Sequence, residues 1–135
     1  MNSTTHTVFV YGTLKPGGHY WARFCEGKVS EVLPAKIRGS LYDLGVGYPG
    51  LVLDDQGWVQ GCLLMLPREA DFQQLDVLEG YVPQREASKN EYVRLKVSCF
   101  DPDGESLGEF WAYEMTAATM KRHKTTLIEN GNWPI

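Results

Sequence analysis

The chain has few of the residues that build disulfide frameworks and metal sites. Its 135 residues include three cysteines and three histidines. Cys25, Cys62 and Cys99 are far apart and odd in number, so they complete neither a disulfide framework nor a paired zinc motif. A reducing compartment is therefore expected. The histidines show no His-x-x-x-His or His/Cys clustering, which argues against a metal site.

Two further absences limit the kinds of partner that the chain is expected to bind. No basic run is present, and 13 basic against 17 acidic residues give a net charge of -4, which provides no footprint for a nucleic-acid backbone. No apolar stretch approaches the length that spans a bilayer, and residues 1–6 do not combine a basic segment with an apolar one. We expect a soluble, cytoplasmic protein that binds neither nucleic acid nor membranes.

The length of the chain and the positions of its glycines and prolines predict one domain that is mostly β. A chain of 135 residues can bury a core without metals or disulfides, so residues 1–135 are expected to form a single domain with one main site. Short β-type runs separated by glycine and proline predict an α+β fold rich in strands. The predicted strands are 7–11, 35–44, 51–53, 58–66, 92–100 and 107–114; the turns are 48–50, 54–57 and 101–104; the helical stretches are 19–25, 69–79 and 117–124.

Residues 11–14, Tyr-Gly-Thr-Leu, follow the first apolar run and have the pattern of a binding loop. A buried strand that breaks into a glycine-containing polar loop delivers that loop to one place on the fold. Gly12 allows a ligand to approach the backbone closely, and the amides from Gly12 to Leu14 could form an anion-binding concavity suited to a carboxylate. The loop lacks the Gly-Lys-Ser/Thr ending of a nucleotide P-loop. Taken alone, an ordinary strand-ending turn is the simpler interpretation.

Residues 69–79 form the best-marked predicted helix, with apolar side chains at every third position from Phe72 and a stop at Gly80. Glu79 occupies its last turn. The carboxyl end of a helix disfavours negative charge, so this position, with any burial added, raises a glutamate pKa toward the range of a general acid or base. On these grounds alone, a solvated surface glutamate at a frayed helix end is the simpler interpretation.

Four motifs in order carry a family resemblance: Tyr-Gly-Thr-Leu-Lys at 11–15, Leu-Asp-x-x-Glu-Gly-Tyr at 75–81, Tyr-Val-Arg at 92–94 and Trp-Ala-Tyr at 111–113. Together they resemble the γ-glutamyl cyclotransferase-like family across residues 8–113. The Thr-Leu-Lys form of the first motif is most similar to the γ-glutamylamine cyclotransferase branch. Each motif alone is weak, and their joint occurrence is specific.

The resemblance implies a small mixed β-barrel with peripheral short helices and one cavity. It also implies an enzyme in which the α-amine of a γ-glutamyl group attacks its own γ-carbonyl and releases 5-oxoproline and an amine, without a cofactor or a metal. Its substrate-binding loop would be Tyr11, Gly12, Thr13 and Leu14, and its catalytic acid/base Glu79, facing one cavity. The expected partner is a small γ-glutamyl molecule, and the expected state is a monomer or a weak homodimer.

Several interpretations stay open at this point. Tyr113 could bound the pocket or hydrogen-bond the substrate, and it is equally a core tyrosine. A non-catalytic small-molecule-binding domain could keep the same fold, although retention of Glu79 favours the enzyme. Cys25 with His19 would suggest a thiol nucleophile, but no third orienting group is visible. The leaving amine could be an amino acid, a lysine ε-amine, cysteinylglycine or a specialised metabolite.

Overall fold

Strands dominate the structure, a computed structural model that describes residues 6–134. Within that range the strands are Thr7–Val10 (β1), Glu31–Arg38 (β2), Ser40–Asp43 (β3), Pro49–Val52 (β4), Trp58–Met65 (β5), Tyr92–Phe100 (β6), Ser106–Met115 (β7) and Thr126–Leu127 (β8). The helices are Trp21–Phe24 (α1), Glu69–Leu78 (α2) and Ala117–Met120 (α3), with a 3₁₀ turn at Ala87–Lys89. The predicted mostly β composition is confirmed.

Five strands close into a barrel in the order β1-β5-β2-β6-β7. β1 pairs with β7 in parallel at Val8 and Trp111, while the other barrel pairs are antiparallel. β4, β3 and β8 form a second, three-stranded sheet. The expected mixed β-barrel with short peripheral helices is therefore confirmed. Closure of the barrel leaves no open edge in that sheet.

The strand β1 lies between two apolar clusters. Val8 and Val10 pack into one cluster, and Phe9 and Tyr11 pack into the other. Both sets are almost fully buried, which explains why the sequence of β1 is a continuous apolar run rather than an alternating one. Burial of each large side chain contributes about 1.5–3 kcal/mol. This anchoring fixes the point at which the chain leaves β1 and enters the 11–14 loop.

The prediction of one strand over residues 35–44 is wrong. β2 begins earlier, at Glu31, and the chain breaks at Gly39 before continuing as β3 in the other sheet. The amide of Gly39 donates to the carbonyl of Gly57 at 3.0 Å, and a Cβ at Gly39 would lie 3.0 Å from the carbonyl oxygen of Val52. The change of sheet therefore depends on close contacts with distant segments.

The predicted turn at 48–50 is also wrong for two of its residues, because Pro49 and Gly50 begin β4. Pro49 pairs with Asp43 at the end of the ladder, where the first residue of a strand can be proline. Gly50 is required by packing, since a Cβ there would lie 2.8 Å from the sulfur of Met115.

The three helices lie where the sequence predicts them, but α1 covers only Trp21–Phe24 of the predicted 19–25, and α3 is also shorter than predicted. α2 runs from Glu69 to Leu78, and the predicted stop, Gly80, has a φ of +66°. α3 ends at Met120, earlier than predicted, because residues 121–124 are mostly exposed and offer no apolar face for packing. No helix in residues 6–134 is long and apolar enough to cross a membrane.

Candidate active site

The loop that follows β1 presents free backbone donors. Among the described residues, none accepts a hydrogen bond from the amides of Gly12, Thr13 or Leu14. The start of the loop is fixed by Tyr11, whose buried hydroxyl donates to the carbonyl of Tyr113 at 2.6 Å. The amide of Lys15 donates to the carbonyl of Gly12 at 3.1 Å, and this hydrogen bond closes the turn. A turn with unpaired successive amides can bind an anion.

Glycine is required in this loop by close packing. A Cβ at Gly12 would lie 2.9 Å from two ring carbons of Pro49, and a Cβ at Gly18 would lie 2.6 Å from the carbonyl oxygen of Thr13. The amide of Tyr20 also donates to that carbonyl at 2.9 Å. The loop is therefore held from both sides, and its geometry is set before any ligand arrives.

The lysine of the first motif points away from this loop. Lys15 is 5% exposed, and its ammonium donates to Asn132 Oδ1 at 2.9 Å and to the carbonyl of Trp133 at 2.6 Å. Burial lowers the pKa of Lys15. Lys15 thus ties the carboxyl-terminal segment to the base of the loop.

Glu79 comes directly after α2, where the chain turns. Its amide closes the helix by donating to the carbonyl of Leu75 at 2.9 Å, and the positive φ of Gly80 then reverses the chain. The amide of Tyr81 donates a hydrogen bond to the carbonyl of Asp76 at 2.9 Å. This C-terminal cap fixes the direction in which the Glu79 side chain leaves the helix.

A cavity of about 130 Å³ lies between the 11–14 loop and the end of α2. Its lining consists of Tyr11, Gly12, Thr13, Tyr20, Tyr48, Pro49, Leu78, Glu79, Glu91 and Tyr92. Glu79 therefore faces the same cavity as Gly12 and Thr13. Leu14 does not line it, because its side chain is 3% exposed and packs in the core.

The pKa values of Glu79 and Tyr48 are raised in the cavity. Burial, assisted by the negative charges of Glu91 and Asp76, raises the pKa of Glu79 to about 8. Burial and the hydrogen bond to Glu91 raise the pKa of Tyr48 to about 12. A carboxyl group with such a pKa can accept and return a proton near neutral pH.

The carboxylate one helical turn earlier has a different environment. Asp76 accepts from Arg94 Nη1 at 3.0 and 3.3 Å and from the hydroxyl of Tyr113 at 2.6 Å. The guanidinium of Arg94 lies over the rings of Phe72 and Trp111, 4.8 and 4.7 Å from their centres. Asp76 and Arg94 thus form a compensated, structural ion pair outside the cavity lining.

The expectation that Tyr113 contacts the substrate needs correction. Tyr113 is 2% exposed, is absent from the cavity lining, and uses its hydroxyl to hold Asp76. Burial, with the hydrogen bond to Asp76, raises its pKa well above the ordinary value. The alternative interpretation, a core tyrosine, matches its position.

Sequence reasoning missed four polar or aromatic lining residues: Tyr20, Tyr48, Glu91 and Tyr92. Tyr92 belongs to the third motif, and its hydroxyl donates to the carbonyl of Pro49 at 2.7 Å. The hydroxyl of Tyr48 donates to Glu91 Oε2 at 2.8 Å. The available signal for Glu91 was its position immediately before the motif residue Tyr92. No periodic pattern in the sequence distinguishes it from other glutamates.

The alternative of a thiol nucleophile finds no support in the geometry. Cys25 is fully buried, and burial raises the pKa of its thiol to about 11, which disfavours the thiolate. His19 is exposed and packs its ring against Tyr20, with 4.6 Å between the ring centres. Neither residue lines the cavity.

Comparison with known proteins identifies similar chains. A gamma-L-glutamyl-butirosin B gamma-glutamyl cyclotransferase from Niallia circulans is 34% identical over 106 residues, covering 78% of this chain. The matched part spans 64% of the length of that relative. A Vibrio cholerae serotype O1 protein with the provisional name gamma-glutamylcyclotransferase is 34% identical over 128 residues, 95% of each chain.

A solved structure shares the fold. The crystal structure of an AIG2-like protein from Mus musculus superposes with a TM-score of 0.61 at 23% identity, over 83% of this chain and 77% of that one. The family described as gamma-glutamyl cyclotransferase, AIG2-like, matches residues 8–134, which include the barrel, the 11–14 loop and Glu79. This protein belongs to the AIG2-like gamma-glutamyl cyclotransferase family.

Proposed function

We propose that this protein converts a γ-glutamyl amine into 5-oxoproline and a free amine. The observation that carries the proposal is the Glu79 carboxyl group in the same cavity as the backbone of Gly12 and Thr13. Membership of the family and the name of the Niallia circulans relative support this reaction class.

The proposed reaction is an intramolecular aminolysis. The α-amine nitrogen of the γ-glutamyl group attacks its own γ-carbonyl carbon, so that a C–N bond forms and closes the lactam ring. The amide C–N bond to the leaving amine then breaks. The attacking nitrogen loses one proton and the leaving nitrogen gains one. A single group that accepts a proton and returns it therefore balances the reaction.

Glu79 is assigned the role of this proton carrier. As a carboxylate it takes the proton from the attacking amine, and as a carboxylic acid it gives the proton to the leaving nitrogen. Burial raises its pKa to about 8, so both forms are accessible near neutral pH. Its partly buried position beside Leu78 limits exchange of the proton with bulk water.

The 11–14 loop is assigned the binding of negative charge. The unpaired amides of Gly12 and Thr13, which line the cavity, can hold the α-carboxylate of the glutamyl group or the oxyanion that develops on the γ-carbonyl. The small cavity also keeps the amine close to the carbonyl. Such positioning supplies much of the acceleration in an intramolecular reaction.

The test is the release of 5-oxoproline from a panel of γ-glutamyl amines and γ-glutamyl dipeptides by the purified protein. We expect product from at least one member of the panel. A Gly12→Ala variant should lower kcat/KM by about 10-fold or more, because its methyl group must displace Pro49 and shift the amides. Gly57→Ala is a matched control, because Gly57 does not have a positive φ, its added Cβ would lie at an ordinary contact distance of 3.6 Å from the carbonyl oxygen of Gly39, and it lies outside the cavity lining.

The alternative function has a different outcome. If no member of the panel yields 5-oxoproline while γ-glutamyl compounds still bind in calorimetry, the protein is a non-catalytic γ-glutamyl or carboxylate-binding domain on the same fold. If Glu79→Gln retains full activity, the assigned proton carrier is wrong.

A further inference from the structure

The acidic side chains that line the cavity are two glutamates. Among the described residues in the lining, Glu79 and Glu91 bear carboxyl groups, and no lysine, arginine or histidine joins them. The cations nearby are used elsewhere: Arg94 pairs with Asp76, and Arg85 donates to Asn90 Oδ1 at 2.8 Å and to the carbonyl of Gly80 at 3.2 Å. The proposed reaction requires one carboxylate, Glu79, so the second needs an explanation.

Glu91 is held firmly in place by its backbone. Its amide donates to the carbonyl of Gly80 at 3.3 Å, and its carbonyl accepts from the amide of Thr116 at 3.1 Å. The preceding residue, Asn90, is 2% exposed and bonds to both the amide and the carbonyl of Val82. The Glu91 side chain therefore leaves a fixed point in the wall next to the end of α2.

The carboxylate of Glu91 is oriented but not saturated. Oε2 accepts from the hydroxyl of Tyr48 at 2.8 Å. Within residues 6–134 no donor reaches Oε1, which lies 3.6 Å from the position that a Cβ on Gly80 would take. An oriented carboxylate with a free oxygen in a small cavity can accept a charged donor from a ligand.

We propose that Glu91, oriented by Tyr48, selects substrates whose leaving amine carries a second, positively charged amino group. This inference rests on the proposed function and names its substrate class. The α-carboxylate of the glutamyl group is accommodated by the amides of the 11–14 loop. A further carboxylate on the leaving group would lie close to the carboxylate of Glu91, whereas an ammonium group would meet its free oxygen.

The experiment compares three γ-glutamyl amides with leaving amines of equal chain length. The amines are 1,4-diaminobutane, which ends in an ammonium group, pentylamine, which ends in a methyl group, and 5-aminopentanoate, which ends in a carboxylate. We expect kcat/KM for 5-oxoproline release to fall in that order. The ammonium substrate should exceed the carboxylate substrate by about 30-fold or more.

Three variants locate the selection. Glu91→Gln keeps the size and the bond to Tyr48 but removes the charge, and it should reduce the preference to less than about 5-fold. Tyr48→Phe keeps the charge and releases its orientation, so an intermediate preference is expected. Glu109→Gln is the matched control: Glu109 is exposed on β7 and lies outside the cavity lining, so the preference should not change.

The outcomes separate this inference from the proposed function. Equal rates with the three substrates, or a preference for the carboxylate substrate, would show that Glu91 does not select cationic leaving amines. The proposed cyclotransferase reaction would be unaffected by that result. A uniform loss with Glu91→Gln on all three would also overturn the selection, because Glu91 would then recognise the common α-ammonium group. Absence of product from all three, and from the wider γ-glutamyl panel, would reject the function itself. The ranking in the wild-type protein is informative even if a variant does not fold.

Discussion

Two carboxylates at the end of α2 lie three residues apart and have opposite surroundings. Asp76 receives two donors, Arg94 and the Tyr113 hydroxyl, in a site packed by aromatic rings. Glu79 takes part in no ion pair within residues 6–134 and shares its cavity with a second carboxylate, Glu91. Compensation makes the first carboxylate structural. Burial without a compensating cation, assisted by the negative charges of Glu91 and Asp76, raises the pKa of the second to about 8 and gives it reactive properties.

The largest expected effect concerns the uncompensated carboxylate. Glu79→Gln should lower kcat for 5-oxoproline release by about 10²–10⁴-fold, because the amide cannot carry a proton. Thermal unfolding should show an intact fold. The comparison fails if this variant retains more than about a tenth of wild-type kcat, since Glu79 would then not be the proton carrier.

The next effect concerns the compensated carboxylate. Asp76→Asn should destabilise the protein by about 2–3 kcal/mol in denaturant unfolding, because it leaves the Arg94 guanidinium, 19% exposed, without its counter-charge. The side chains keep some solvent contact, which places the value below that of a fully buried pair. A loss under about 0.5 kcal/mol would show that the ion pair is no more than a surface contact.

A smaller effect should appear in the pH dependence of stability. The pKa of Glu79 is about 8 in the folded protein against an ordinary value of 4.5, so the folded state binds this proton more tightly than the unfolded state does. The wild type therefore loses stability relative to Glu79→Gln as the pH rises from about 4.5 to about 8, and loses no more above that.

Solvent contact of the Glu79 side chain limits the size of this loss. Between about pH 4.5 and about pH 8, the free energy of unfolding of Glu79→Gln should rise by about 1–2 kcal/mol relative to that of the wild type. Urea unfolding at a series of pH values measures this difference. A stability difference independent of pH would mean that the Glu79 pKa is not raised in the folded protein.

The smallest expected effect tests the position of Tyr113. Tyr113→Phe removes one donor from Asp76 but leaves Arg94, so it should cost about 1–2 kcal/mol of stability. Because the hydroxyl does not reach the cavity, kcat/KM should stay within about 2-fold of wild type. Lost activity with unchanged stability would return Tyr113 to the substrate site and erase the contrast between the two regions.

Local signals in the sequence were sufficient for α2 and for its end. The apolar residues at every third position from Phe72 and the stop at Gly80 are signals that lie close together in the sequence. The helix predicted from them is correct to within one residue. The 35–44 segment was not predictable, because its break at Gly39 depends on contacts with Val52 in β4 and with Gly57, just before β5. A long-range contact leaves no mark in local periodicity.

The same distinction explains what was missed at the site. Glu79 and the 11–14 loop were found because each closes a recognisable element and carries a motif. The position of Tyr113 depends on Asp76, 37 residues away, and that of Glu91 on Tyr48, 43 residues away. Side chains whose partners lie far away in the sequence can be placed only when the chain is folded.

The most direct test of the central claim, that the uncompensated Glu79 carries the proton, is the pH dependence of kcat/KM for wild type and Glu79→Gln on one γ-glutamyl amine. Titration of the substrate amine is common to both, so it cancels in the ratio of the two values. The ratio should rise with pH and level off above about 8, as Glu79 becomes ionised. A ratio that stays constant from about pH 6 to about pH 10 would contradict the claim.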